Sequence, residues 1–477
     1  MSVKRKPIPI QKEVLIQSVG AEGKAIAKVD GLVIFVPYVV PGDIVDIQIV
    51  FRKKNYLEGK AIHFHKYSEL RTEPFCRHFG TCGGCSWQNI IYEKQLDFKN
   101  NIVQEHLQRI GGINIENILP IEPSEETMYY RNKLEFTFSP LAWLSEEDMD
   151  NEEKQNIQAL GFHIPRRFDR ILDIDKCYLQ NDLSNDVRNT VKKIALDNNF
   201  SFYNVRSKEG LLRNIILRNN HDGDFMVILV LSEYVENAID TIFNRLKTDF
   251  SSIKSFYYVI NSKLNDSIQD LQPELWGGDE FLIEHLDSPV NTNKKLSFQI
   301  APLSFFQTNV LQTQKLYKTA FDLADLKGNE TVYDLYCGTG TISIYMAQVA
   351  KKVVGIEYVD MAIDDAKINA KINNLDNISF YAGDIAKVLN DDFVKTNGKP
   401  DVIITDPPRA GMHEKVVKQL LNIEAEKIVY VSCNSATQAR DVKLLSEKYT
   451  PVISKAFDMF PHTHHTENVI LLKKKNS

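Results

Sequence analysis

Cysteine is scarce, with six in 477 residues, far below the density of a disulfide-stapled secreted domain. Long apolar runs are absent as well. Nothing approaches the ~18 consecutive apolar residues that cross a bilayer, so no membrane-spanning helix is expected. The first residues, Met1-Ser-Val-Lys-Arg-Lys-Pro7, put charges ahead of no apolar core and do not read as a secretory signal. No repeat of fixed period is present, which excludes a solenoid. Neither charge sign dominates: 57 Lys and Arg face 63 Asp and Glu, a net charge of -6. The overall charge therefore does not advertise a polyanion partner. Clustered thiols without an export signal predict a cytoplasmic protein in a reducing compartment.

The chain is too long for one compact core, and two to four domains are expected. Charge is uneven along it. Residues 1–66 hold eleven Lys and Arg against six Asp and Glu, with the densest basic spots at 1–6 and Phe51-Arg-Lys-Lys54. That segment reads as five short strands, Val14–Val19, Ala25–Val29, Leu32–Val36, Ile44–Val50 and Gly59–Phe64, broken by glycine turns. Five strands in about fifty residues fit a small oligonucleotide-binding-like barrel, or another small barrel without a nucleic-acid role. Residues 92–111 read as an amphipathic helix with Ile102, Val103, Leu107 and Ile110 on one face. From about 129 to 300 strands mix with two helices near 183–198 and 236–248, an α+β region. The acidic run Ser145-Glu-Glu-Asp-Met-Asp-Asn-Glu-Glu153 reads as a surface loop. Beyond 301, apolar strands at 331–335, 353–356, 378–381, 401–405 and 427–431 alternate with helix-length segments. That pattern predicts a parallel, doubly wound α/β sheet.

The six cysteines sort into two jobs. Cys76, Cys82 and Cys85 form a C-x5-C-x2-C run, with Cys177 as a distant fourth. Four thiolates at such spacing suit zinc or an iron–sulfur cluster. The others lie in the α/β region. Cys337 sits in Asp334-Leu-Tyr-Cys-Gly-Thr-Gly-Thr341, a glycine loop between a strand and a helix. Such a loop lets backbone N–H groups approach a ligand. Glu357 ends the next strand, where a carboxylate accepts from ribose hydroxyls. Position 343 is Ser, not the third glycine of a dinucleotide site. Asp384, ending strand three, suits the amine of an adenine, or caps a helix. Together these favour S-adenosylmethionine.

Asp406 opens Asp406-Pro-Pro-Arg409 at the carboxyl edge of the sheet, and no aromatic follows to stack on an adenine amine. Cys433 ends strand five between Ser432 and Asn434. Uracil C5 is a poor nucleophile, but a thiolate added at C6 turns the ring into an enolate that attacks a methyl electrophile. A base must then remove the C5 proton, and Glu467 in Phe460-Pro-His-Thr-His-His-Thr-Glu-Asn468 is the candidate. His462, His464, His465 and Glu467 are also a possible metal set, although their spacing matches no zinc enzyme.

Phe305-Phe-Gln-Thr-Asn309, the glycine loop, Asp406-Pro-Pro-Arg409, Ser432-Cys-Asn434 and His462-Thr-His-His-Thr-Glu467 stand in the order seen in RNA uracil-C5-methyltransferases. The chain resembles the bacterial 23S rRNA members of that family over nearly its whole length. The resemblance implies a TRAM RNA-binding barrel over 1–66 and a central domain with a [4Fe–4S] cluster over 67–300, with 93–124 packing on the catalytic domain. It implies a Rossmann-like methyltransferase domain over 301–477. It assigns Cys433 as nucleophile and Glu467 as base. Gln307, Tyr336, Gly338, Glu357, Asp384 and Asp406 take the cofactor positions, and Cys76, Cys82, Cys85 and Cys177 the cluster positions. Thr341 departs from relatives that carry an amide there. The partner is RNA, 23S rRNA by this resemblance, met by a monomer away from any membrane. Tyr129-Tyr-Arg-Asn-Lys133 and Arg166-Arg-Phe-Asp-Arg170 mix rings and cations suited to stacking and phosphate contact. Alternatives are a tRNA T-loop methyltransferase, disfavoured because typical bacterial ones lack barrel and cluster, and a non-catalytic RNA-binding ribosome-assembly factor.

Overall fold

The computed structural model describes residues 10–20, 22–144, 157–165, 167 and 169–475. The acidic run at 145–153 and the basic residues 1–6 lie outside the described residues, as do positions 166 and 168 of the second RNA-contact segment.

The first unit is a six-stranded sheet: β1 (Ile10–Leu15), β2 (Ser18–Val19), β3 (Ala25–Val29), β4 (Leu32–Val36), β5 (Ile44–Arg52) and β6 (Tyr56–Lys66). Its order is β1-β5-β6-β4-β3-β2. The strand expected over 14–19 splits in two because Ile16 leaves the ladder. Its N–H donates to the Asp43 carbonyl, and its own carbonyl accepts from Gly42 N–H. Alternating buried positions, including Ala27, Ile34, Val45 and Ile47, close a small core.

Helix α1 (Tyr92–His106) follows the cysteine loop and ends in a π turn at Leu107–Gly111. Gln95, Lys99, Val103 and Leu107 form its buried stripe. The π turn shifts the register, which leaves Ile110 41% exposed, off the face that the heptad-like spacing predicts. Strand β7 (Asn117–Glu122) then joins the edge of the catalytic sheet beside the last-but-one strand of the chain. The segment 92–122 therefore packs with the catalytic half.

The central sheet runs β10-β9-β8-β11-β12-β13-β14. Its strands are β8 (Lys133–Ser139), β9 (Ala159–His163), β10 (Ile171–Asp173), β11 (Leu212–Asn219), β12 (Phe225–Leu231), β13 (Ile253–Ile260) and β14 (Glu274–Gly278). Helices α2 (Leu183–Asp197) and α3 (Glu236–Asp249) cover one face through residues such as Val187, Val191, Ile239 and Phe243. The hairpin β15 (Leu282–Asp287) and β16 (Lys295–Ile300) falls within the span expected for the central domain. Its Leu286, Leu296 and Phe298 share one core both with central-sheet residues such as Ile216 and Met226 and with residues of the catalytic half such as Leu316 and Tyr345.

Helix α4 (Val310–Ala324) leads into an alternation: β17 (Thr331–Leu335), α5 (Thr341–Ala347), β18 (Lys352–Glu357), α6 (Asp360–Ile372), β19 (Ile378–Ala382), α7 (Ile385–Val388), α8 (Asp391–Asn397), β20 (Val402–Thr405), α9 (Glu414–Ile423), β21 (Lys427–Ser432), α10 (Ser435–Leu445), β22 (Tyr449–Phe457) and β23 (Glu467–Lys474). The sheet order is β19-β18-β17-β20-β21-β23-β22-β7. β17 to β21 run parallel, while β23 inserts antiparallel to both β21 and β22. The order reverses between β17 and β20, so the carboxyl ends of β17, β18, β20 and β21 open a crevice there. No helix among the described residues is long and apolar enough to cross a membrane.

Candidate active site

The cofactor loop begins where β17 ends. Asp334 is fully buried; its Oδ2 accepts from Ser343 Oγ at 2.5 Å, while Oδ1 has no partner. Burial pushes this carboxyl up to about 7. Tyr336 takes φ 64°, a left-handed conformation that a ring-bearing residue adopts only when its surroundings enforce it. The enforcement is visible: Tyr336 N–H and Cys337 N–H both donate to the Ile356 carbonyl, at 2.9 and 3.1 Å. Gly340, at φ 80°, caps α5, and a Cβ there would lie 2.9 Å from the Phe380 ring. Glu357 is fixed by backbone: Oε2 accepts from Gly338 N–H (3.2 Å), and Oε1 from Tyr358 and Val359 N–H (2.8 and 3.0 Å). Asp384 caps α7, its Oδ1 accepting from Ala386 N–H at 3.1 Å. Gln307 lies across the crevice in a loop clamped to the central domain, its carbonyl accepting from Asn132 Nδ2 at 3.0 Å. The unpartnered Asp334 oxygen and the empty space around Gly338 fit a cationic nucleoside.

One crossing further along the sheet, β21 ends at Ser432, which pairs with Asn468 of β23. Continuing that antiparallel register by one step sets Cys433 opposite Glu467. Asn434 caps α10, holding the thiol at the strand-to-helix turn, half-buried rather than sealed. Burial raises the Cys433 thiol to about 11, with smaller contributions from the Glu467 and Asp406 charges; Arg409 opposes both through its charge and a hydrogen bond to the sulfur. Glu467, 4% exposed, is raised well above the usual carboxylate range by burial, then by Asp406, against Arg409. Asp406 is raised by burial and by Asp334. Arg409 is the residue that sequence reasoning passed over, since it registered only as a missing aromatic. Its carbonyl accepts from Asn434 Nδ2 (3.0 Å) and Thr437 Oγ1 (3.2 Å), so the Pro-Pro loop and the thiol loop are one assembly. A thiol, an acid of raised pKa and a guanidinium in one crevice suit addition to an electrophilic ring followed by proton removal.

His462, His464 and His465 do not form a metal set. His462 Nδ1 lies 3.2 Å from Gln95 Nε2, the His464 and His465 rings lie 4.1 Å apart and tilted by 38°, and burial pushes all three imidazoles down to about 4.

Cys76, Cys82, Cys85 and Cys177 are free thiols, and all four line one cavity of about 540 Å³ beside Arg131, Lys133, Tyr178 and Phe305. Gln88 Oε1 accepts from Cys76 N–H at 3.2 Å, and Asn185 Oδ1 from Cys177 N–H at 2.8 Å, so polar side chains fix the backbone at both ends of the set. Among the described residues, however, no three His, Cys, Asp or Glu side chains are arranged to hold a metal ion. A single tetrahedral ion needs every sulfur about 2.3 Å from one centre. Four thiols are the donor chemistry that zinc or an iron–sulfur cluster takes, and the cavity leaves room beside them.

A doubly wound sheet with an inserted antiparallel strand, a glycine loop and an acid ending β18 define an S-adenosylmethionine-dependent methyltransferase. Residues 278–475 match the tRNA (Uracil-5-)-methyltransferase model, and residues 11–62 match the TRAM domain. The chain is 49% identical to a Bacteroides thetaiotaomicron protein described as an uncharacterized RNA methyltransferase, across 95% of this chain and 99% of that one. It is 43% identical to one of the same description from Porphyromonas gingivalis, across 96% and 98%. The crystal structure of the Pyrococcus abyssi tRNA (uracil-54, C5)-methyltransferase in complex with S-adenosyl-L-homocysteine matches with TM-score 0.74 and 29% identity, covering 96% of this chain and 99% of that one. The chain belongs to the TRAM-containing RNA uracil-5-methyltransferase family, and it is an S-adenosylmethionine-dependent enzyme. The match to the Pyrococcus enzyme covers 96% of this chain and so takes in most of the barrel.

Proposed function

We propose that this enzyme methylates C5 of uracil in 23S rRNA through a covalent bond from Cys433 to C6. The observation that carries the chemistry is the joint position of Cys433, Glu467, Asp406 and Arg409 at the sheet's carboxyl edge. Cys433 adds to C6, and the electrons of the C5–C6 double bond move towards O4. C5 then takes the methyl group that bound S-adenosylmethionine supplies. Glu467 removes the C5 proton, the double bond re-forms, and the thiolate leaves. Arg409 favours the thiolate at both ends of the cycle. Asp334, Tyr336, Gly338, Glu357 and Gln307 hold the methyl donor, with Asp384 and Asp406 at its edges.

Cys76, Cys82, Cys85 and Cys177 would hold a [4Fe–4S] cluster that ties residues 76–85 to the central sheet. Its contribution is structural, because the thiol chemistry requires no electron transfer. The half-exposed ring–cation residues Tyr129 and Arg131, and the exposed Lys53 over the Phe51 and Tyr56 rings (5.9 and 5.3 Å), suit a single strand delivering a flipped base.

A second reading is methylation in the tRNA T-loop, favoured by the substrate named for the Pyrococcus enzyme. Total RNA labelled with tritium at uracil C5, taken from a strain lacking the gene, separates the two. Release from 23S rRNA is the expected result. Release from tRNA alone moves the substrate to the second reading, and no release removes the proposed chemistry.

A further inference from the structure

Glu467 is the first residue of β23, and the residues just before it form a strap, 458–466, that the catalytic sheet does not hold by itself. On the catalytic side, Asp458 N–H donates to the Glu122 carbonyl of β7 at 2.9 Å, and Gln312 and Asn309 donate to the Asp458 and Met459 carbonyls, both at 3.2 Å; the remaining tethers come from four other places. Asp458 is fully buried and pairs with the fully buried Lys99 of α1; Lys99 Nζ also donates to the Phe460 carbonyl at 3.0 Å. Tyr92 of α1 donates to Asp458 Oδ2 at 2.7 Å. Gln95 of α1 accepts from His462 N–H at 3.0 Å. The cysteine loop donates Ser86 and Trp87 N–H to the His462 carbonyl, at 2.9 and 3.0 Å. Tyr130, just before the central sheet, donates to the Pro461 carbonyl at 3.2 Å. The barrel reaches in through Gly23: its carbonyl accepts from Trp87 Nε1 at 2.9 Å, and a Cβ on it would sit 2.7 Å from His464 Nδ1.

A buried ion pair is a poor source of stability, since desolvating both charges offsets their attraction; its best-attested use is to fix one register among several. Here the register it fixes is that of the strap. His462 within it holds φ 63°, a conformation the tethers must impose. We infer that Lys99 of α1 is a positioning residue for the proton-abstraction step: through Asp458 it sets the strap that aims Glu467 at C5. This rests on Glu467 being the base, as proposed above. Methyl transfer precedes proton removal, so a displaced strap leaves adduct formation intact and slows its resolution. A displacement of about 1 Å at a reacting group is enough to lower a rate on the order of 10²-fold.

The test uses full-length enzyme and total RNA from the deletion strain, under single turnover. It follows methyl transfer from labelled S-adenosylmethionine and the RNA–protein adduct that survives denaturation. Lys99→Met combined with Asp458→Leu removes both charges while keeping an apolar fill, and Tyr92→Phe removes one hydrogen bond as a milder variant. Both should bind S-adenosylhomocysteine as the parent does and form the adduct at the parent rate. Adduct should then persist, with resolution slowed on the order of 10²-fold in the double variant and less in Tyr92→Phe. Should the double variant not fold, Tyr92→Phe alone decides by the same measure. Resolution at the parent rate, or equal loss of adduct formation and resolution, overturns the inference. Glu467→Gln runs alongside: if it traps no adduct, the assignment of the base fails, whatever Lys99 does.

Discussion

Asp334 offers a quantitative handle on the cofactor loop. It is fully buried with one oxygen unpartnered, and its carboxyl is raised from 3.8 to about 7. At about 1.4 kcal/mol per pH unit, that gap amounts to about 4 kcal/mol of native-state destabilisation once the group is ionised. The sign follows from linkage: the folded state holds its proton more tightly than the unfolded chain. The penalty is therefore absent below pH 3.8, grows as pH rises, and is complete above about 7. Asp334→Asn removes the charge and keeps an acceptor for Ser343 Oγ. Its amide N–H groups meet no acceptor in the free enzyme, which returns about 1–3 kcal/mol. The cofactor-free variant should thus gain about 1–3 kcal/mol at pH ~8, seen as a melting shift of about 2–4 °C per kcal/mol, and lose that gain by pH ~5. S-Adenosylmethionine, which is cationic at sulfur, should raise the parent's melting temperature more than the variant's, because only the parent offers a carboxylate. Scanning calorimetry at the two pH values, with and without cofactor, reads all of this. A variant destabilised equally at both pH values would refute the assignment of Asp334 as a strained acid held for a cation.

Cys433 is raised to about 11 and Glu467 is also raised, and both must be deprotonated to act. The kcat/KM profile should therefore climb across the whole range from about pH 6 to about pH 9 without levelling off; a profile that falls or is flat across that range would contradict the assigned roles. Arg409→Met removes a cation that favours the thiolate, so kcat/KM at neutral pH should drop on the order of 10²-fold, with partial recovery in alkali. Equal loss at all pH values would mean that Arg409 only supports the loop. Cys85→Ser should abolish visible absorbance in anaerobically purified protein and lower its melting temperature; a colourless parent with bound zinc would contradict the cluster.

Much of the catalytic sheet was legible because parallel strands buried on both faces read as unbroken apolar runs, as in Val402–Thr405 and Lys427–Ser432. β7, with a proline and no buried residue, gave no such signal, and it joins the edge of the sheet beside β22. The hairpin β15–β16 alternates cleanly, yet the domain it packs on is a tertiary fact. At the site, Cys433 and Glu467 stood out by motif order, and the antiparallel register of β23 explains why residues so close in sequence to different strands meet. Arg409 went unread because a cation's target is set by the fold. So did the buried pair Lys99 and Asp458, 359 positions apart: a lysine on an amphipathic helix reads as solvent-facing until its partner arrives from the far end of the chain.

The covalent bond itself is the most direct test. Glu467→Gln, incubated with methyl donor and RNA from the deletion strain, should accumulate a denaturation-resistant adduct. Mass spectrometry of its nuclease- and protease-digested form should find a methylated uracil nucleotide on the peptide carrying Cys433. A modified peptide elsewhere in the chain, or an adduct-free variant beside a parent enzyme that methylates C5, would contradict it.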